Sequence, residues 1–279
     1  MPHWTITAPE TRALGGPVHR VDVRLTYGRL SIVGTAGEPR IEISRVSSTP
    51  VEVELTDGTL TVRNEHYPMW PGFLQPLWWW MAGGKRFEAD VSIAVPYDTA
   101  ARAWVAHGAV ILSAVRAGAD VECVSGRVAA LGIDGGLRAK VTSGPIEALG
   151  CAGDLAMETV SGEITVADSA AGRIRATTIS GALTADLDNP PSHSDILLET
   201  VSGEITVRVR EDSDLRVRMT ATHGRVTSDF PGLAEQRGWG ATVHGELGAA
   251  TGTLVARAVS GNVALLRRPV DAAFAQEDS

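Results

Sequence analysis

Hydrophobic and polar residues alternate along most of this chain, in runs such as "VEVELT", "VSIAVP" and "GRIRATTI". A period of two marks strands with one face turned inward. A longer rhythm runs through the alternation. The heptapeptide "VSGEITV" occurs at 160–166 and again at 201–207, and a looser form of it recurs down the chain. That form is Val, Ile, Thr or Ala, then Ser or His, then Gly, any residue, and Val, Ile or Leu. It falls at Gly108, Gly126, Gly144, Gly162, Gly181, Gly203, Gly224, Gly245 and Gly261, at intervals of 18, 18, 18, 19, 22, 21, 21 and 16 residues. Self-similarity at a short, nearly fixed period signals a repeat architecture.

A second aliphatic position lies between successive glycines, so that Val128, Leu137, Ile146, Leu155 and Ile164 advance by nine residues each time. Each 18-residue unit is therefore two half-turns, with glycine at a corner where a positive φ or a close backbone approach is needed. The fold this predicts is all-β: a parallel β-solenoid with two strands per coil of about 18 residues, stacked at about 4.8 Å. On this reading Val160 and Ile164 point inward beside Val201 and Ile205, and Ser161 and Ser202 join a corner ladder. From Val105 to Asp229 there is no Phe, Tyr or Trp. A slot between two close sheets has room for Val, Ile, Leu and Ala but not for rings, which globular cores otherwise use heavily.

Residues 1–95 read as strands without the strict period and are expected to form an N-terminal β-cap. Within it, Gly28 carries a related corner, and Asp57-Gly58 is placed for a type I′ hairpin turn. The solenoid is expected over 96–268 and a frayed tail over 269–279. Longer intervals mark excursions at 186–195 and 230–240, where binding function on a solenoid is most often found. The cap also holds "YPMWPGFLQPLWWWMAGGKR" (67–86), which carries Trp70, Phe73, Trp78, Trp79 and Trp80 and breaks its apolar run with prolines. This insertion is the candidate interaction surface. Three readings stay open for it: a cover for the solenoid or a dimer contact, a membrane-interface anchor, or a platform for a flat ligand.

Composition narrows the function classes. With 279 residues, 44% of them hydrophobic, the chain can build a substantial core, and its net charge of −8 without basic clusters argues against nucleic acid as a partner. Cys123 and Cys151 lack zinc spacing and are expected as buried thiols. "MPHWTITAPE" has neither a basic n-region nor an apolar stretch after it, so a cytoplasmic protein is expected, with peripheral membrane contact open through the Trp-rich segment. His107, His223 and His244 occupy the Ser position of three corners, and the latter two are placed one rung apart, within reach of a shared metal. No third ligand is predictable beside them, so no metal is assigned. No nucleophile elbow, phosphate loop or dinucleotide fingerprint occurs, and no cofactor or catalytic residue is read.

The words "VSGEITV", "TISGALTA" and "AVSGNVAL", with lead-in strands such as "GRIRAT" and "VSIAVP", resemble the bacterial putative-adhesin family with adhesin-like β-strand repeats, a family of largely unknown function. The resemblance covers roughly residues 20–268. It implies a parallel β-solenoid without cofactor or catalytic residues, and a part in adhesion or surface interaction. The function expected is a non-catalytic binding or scaffold module that contacts an unknown protein partner, or a second copy, through the Trp-rich insertion and the later loops. A peripheral membrane protein and a polysaccharide-binding or -processing protein are the alternatives.

Overall fold

The computed structural model describes residues 3–47, 49–64, 88–187, 193–238 and 240–269. All 23 strands among them belong to one hydrogen-bonded system. The repeat is clearest in its middle. Strand β9 (Ala119–Leu131) passes through the corner at Gly126, and the next coils divide there into β10 (Leu137–Ser143) and β11 (Ile146–Leu149), then β12 (Leu155–Ser161) and β13 (Ile164–Ala167). Pairing is parallel and in register: Ile146 lies between Val128 and Ile164, while Leu137 lies between Ala119 and Leu155. The nine-residue step thus alternates between two sheets that meet at the glycine corner.

Each coil also has a short third side. Backbone bonds from Asp134 N to Val115 O, Ala152 N to Ile133 O and Ala170 N to Cys151 O hold it rung to rung. Val115, Ile133 and Cys151 are buried on this side, and both thiols are free. Burial raises the pKa of each thiol, because the thiolate would lose its hydration.

Steric exclusion explains the glycines. A Cβ placed on Gly126 would lie 1.6 Å from the Gly108 carbonyl oxygen, and one on Gly162 would lie 2.0 Å from that of Gly144. The same overlap recurs at each rung of the ladder. Just inside the corner, Thr159, Thr178 and Thr200 are buried, and their hydroxyls donate to the carbonyls of Gly144, Gly162 and Gly181 at 3.3–3.4 Å.

Parallel stacking reaches further toward the N-terminus than residue 96. Strand β3 (Arg20–Thr35) pairs along its length with β8 (Ala100–Ser113), with Gly28 opposite Gly108. Beyond β3 lies one more rung, made of β6 (Thr59–Asn64) and β7 (Ala89–Pro96). Antiparallel strands complete this end: β5 (Val51–Thr56) and β1 (His3–Ile6) beside β6, and β4 (Arg40–Val46) and β2 (Glu10–Ala13) beside β7. Asp57 and Gly58 both have positive φ in the β5–β6 turn, as a type I′ hairpin requires.

The C-terminal coils stack out of sequence order. The coil of Gly203, formed by β16 (Asp195–Ser202) and β17 (Ile205–Arg210), is followed by the last coil, β22 (Gly252–Ser260) and β23 (Val263–Arg268). Only then comes β18 (Leu215–His223) with β19 (Val226–Ser228). The backbone bonds Gly203 N to Ser260 O and Gly261 N to His223 O record this order. A hairpin of β20 (Ala234–Gly238) and β21 (Gly240–Leu247) then lies antiparallel on β18. The 230–240 excursion is therefore part of an end cover, and its polar edge strand discourages further pairing.

Two expectations are corrected by this order. Gly245 is not a corner of the ladder: it lies opposite Val217 in the antiparallel hairpin, and a Cβ there would meet Leu233. His223 and His244 are not one rung apart. His244 pairs with Arg218, five positions along β18 from His223 and so about 16 Å away. A hairpin return reverses chain direction, so matching words no longer stack.

Candidate interaction surface

The strand leading into each corner buries alternate residues until the chain bends. In β12, Leu155, Met157 and Thr159 face inward, whereas Val160 and Ser161 both lie outside. Val160 is 46% exposed and Val201 48%, which corrects their expected inward placement; Ile164 and Ile205 are buried as expected. The bend at Ser161–Gly162 breaks the parity of the strand, so Thr159 and Ile164, five residues apart, share the interior.

The consequence is an apolar column on the outer face. The position two residues before each corner glycine is Val124, Thr142, Val160, Ile179, Val201 and Val259 on successive rungs. The five aliphatic members are 42–50% exposed. β14 (Arg173–Ser180) supplies Ile179. At about 4.8 Å per rung the column is about 24 Å long. Scattered exposed hydrophobics are ordinary on protein surfaces; here five fall in one row, interrupted only by Thr142.

Beside it runs a second outward row, four residues before each corner: Trp104, Glu122, Lys140, Glu158, Thr177, Glu199 and Arg257. Lys140 pairs with Glu158 at 3.0 Å, and Arg257 with Glu199 at 2.9 Å. A groove of about 630 Å³ opens between the rows from Trp104 to Ile179. The two pairs leave the row with little net charge, and the aliphatic column is the apolar part of this face.

The expected aromatic contacts, Trp70, Phe73, Trp78, Trp79 and Trp80, lie outside the described residues, as does residues 270–279 of the tail. The residues that flank the insertion are described. Asn64 pairs with Leu25, and Glu88 bridges to Tyr27. The Ala89 carbonyl meets the Cβ position of Gly28, as a corner glycine carbonyl does on later rungs. The insertion thus interrupts a coil at its corner, at the height in the strand where the aliphatic column begins on later rungs.

Among the described residues no three His, Cys, Asp or Glu side chains cluster as metal ligands. His107 stacks on Tyr27, with ring centroids 4.6 Å apart. Among the described residues no helix is long and apolar enough to cross a membrane. On the other sheet Asp186 accepts from Arg208, and Arg268 donates to it at 2.8 Å. The Arg208 hydrogen bond, aided by the charge of Arg268, holds its pKa below the usual aspartate range.

A protein-family model matches residues 32–266 of the chain. The chain belongs to the Toastrack DUF4097 family. Its all-β, largely parallel architecture is that of the family, and the resemblance drawn from the "VSGEITV" words holds. Similar solved structures include a putative cell adhesion protein from Clostridium sporogenes, at 11% identity and a TM-score of 0.29, covering 93% of this chain and 99% of the other. A putative lipid binding protein from Parabacteroides distasonis aligns at 10% identity and a TM-score of 0.41, covering 94% and 97%. A putative adhesin from the same organism aligns at 12% and 0.37, covering 94% and 96%. No curated protein matches the chain.

Sequence reasoning missed the aliphatic column because it counted parity across the corner, from Ile164 back to Val160. Counting forward from Leu155 by twos gives Thr159 inside and Val160 outside. The recurrence of Thr at 159, 178 and 200 was the available signal.

Proposed function

We propose that this toastrack protein is a non-catalytic scaffold that binds other macromolecules through the outer face of its corner-leading strands. The exposed column from Val124 to Val259 carries the reading. Burying aliphatic surface yields about 25 cal/mol per Å², so such a row favours association when a complementary surface covers it. The Trp-rich insertion, leaving from the same corner line, is the second contact proposed, and a cytoplasmic location is proposed with it.

The test is affinity capture from native lysate with three baits: the intact protein, Ile179→Asp, and a version lacking Tyr67 to Arg86. Partners identified with the intact bait and lost with either altered one support the proposal. Recovery of the same proteins by all three overturns it. Anchoring at a membrane interface is a second reading, favoured by the tryptophans followed by Lys85 and Arg86. Equal failure of the intact protein and of a Trp78, Trp79, Trp80 to Ala variant to sediment with liposomes removes that reading.

A further inference from the structure

We infer that the aliphatic column docks on a second copy of this chain, in a two-fold dimer whose solenoid axes run antiparallel. The inference rests on the binding-face reading above and names the partner. A two-fold axis along the strand direction, between the rungs of Val160 and Ile179, turns the face onto itself with the rung order reversed. The column then meets its own image: Val124 faces Val259 of the second copy, Thr142 faces its Val201, and Val160 faces its Ile179. Isologous contacts of this kind need a self-complementary patch.

Charge in the neighbouring row follows the same centre. Under the same axis Glu122 faces Arg257 of the second copy, and Lys140 faces its Glu199. Glu158 meets a neutral Thr177, and Trp104 meets a small Thr220. The rungs that carry these residues are fixed by the register, including the out-of-order placement of the Arg257 coil beside that of Glu199. Had the coils stacked in sequence order, Thr220 would occupy Arg257's rung and Glu122 would lose its counterpart. One like-charged meeting occurs, Arg102 with Arg218 of the second copy, in the outer row at the end of the face.

The contact is modest. Over the eight rungs from Trp104 to Thr220 the face is about 34 Å long and about 17 Å wide, about 580 Å² per copy, below the roughly 800 Å² per partner of a standard interface. The dimer is therefore a weak, exchanging one, formed as concentration rises.

Sedimentation equilibrium of the full chain from about 1 to 500 µM tests it. The weight-average mass should climb from 29.4 kDa toward twice that value. Lys140→Glu and Glu199→Lys should each weaken dimerisation at least about tenfold, and the double variant should recover to within about threefold of wild type. Ile179→Asp should abolish it. Thermal melts of each variant check that the monomer remains folded, and the reciprocal pair Glu122→Arg with Arg257→Glu replaces any variant that does not. A mass fixed at the monomer value, a dimer insensitive to these changes, or a double variant without recovery overturns the inference. If Ile179→Asp still loses heterologous partners in the capture assay, the binding-face reading survives such a failure.

Discussion

Three glycine-to-alanine substitutions separate the two reasons for a corner glycine. Gly132 has a φ of +60° and nothing within 4 Å of the Cβ position, so Gly132→Ala meets only the left-handed backbone cost of about 1–2 kcal/mol. Gly162 lies outside that backbone region, yet its Cβ would sit 2.0 Å from the Gly144 carbonyl oxygen. Rung spacing is set by the ladder hydrogen bonds, including Gly144 N to Ser161 O at 2.8 Å, so the overlap cannot relax without weakening them. Overpacking of this kind costs about 1–3 kcal/mol. Gly126 combines a φ of +152° with a 1.6 Å overlap, and the two effects together come to about 2–5 kcal/mol. That is a large fraction of the ordinary 5–15 kcal/mol stability of a folded protein. Urea denaturation of the three variants should rank them Gly126→Ala below Gly162→Ala and Gly132→Ala. A Gly126→Ala midpoint equal to that of Gly132→Ala would refute the steric account of the repeat.

Exposure of the column gives a paired expectation: Val160→Thr should change stability by less than about 0.5 kcal/mol, whereas Ile164→Ala, at a site 1% exposed, should cost about 2–5 kcal/mol in the same denaturation assay. Nitroxide labels on the full chain at Ser202 and Ser260 should lie one rung apart, and labels at Ser202 and His223 two rungs apart, by paramagnetic distance measurement; the opposite ranking would contradict the out-of-order stacking. Asp186 has a lowered folded pKa, so its ion pairs stabilise fully above the ordinary aspartate range and lose that effect as pH falls through the lowered value. Asp186→Asn should therefore cost about 1 kcal/mol at pH 7 and progressively less in acid, and a pH-independent difference would reject this role.

What the sequence by itself determined is the coil. Glycine every 18 residues, an aliphatic step of nine and the lack of rings from Val105 to Asp229 together specify two flat strands, a tight corner and a thin interior. These are local demands: a Cβ clash at Gly126 or an inward Ile164 is dictated by residues one rung away. The Asp57-Gly58 hairpin was legible for the same reason, since two positive φ angles in adjacent residues need only the turn itself. Tertiary structure alone decided which coil lies beside which. The words around Gly224 and Gly261 fit the same rung equally well, because every rung presents the same backbone hydrogen bonds, and the β20–β21 return selects between them. It also decided the outer face. Val160 reads as a core residue counted back from Ile164 and as a surface one counted forward from Leu155; the parity shift at the corner decides between them, and the row it joins exists only once the rungs are stacked.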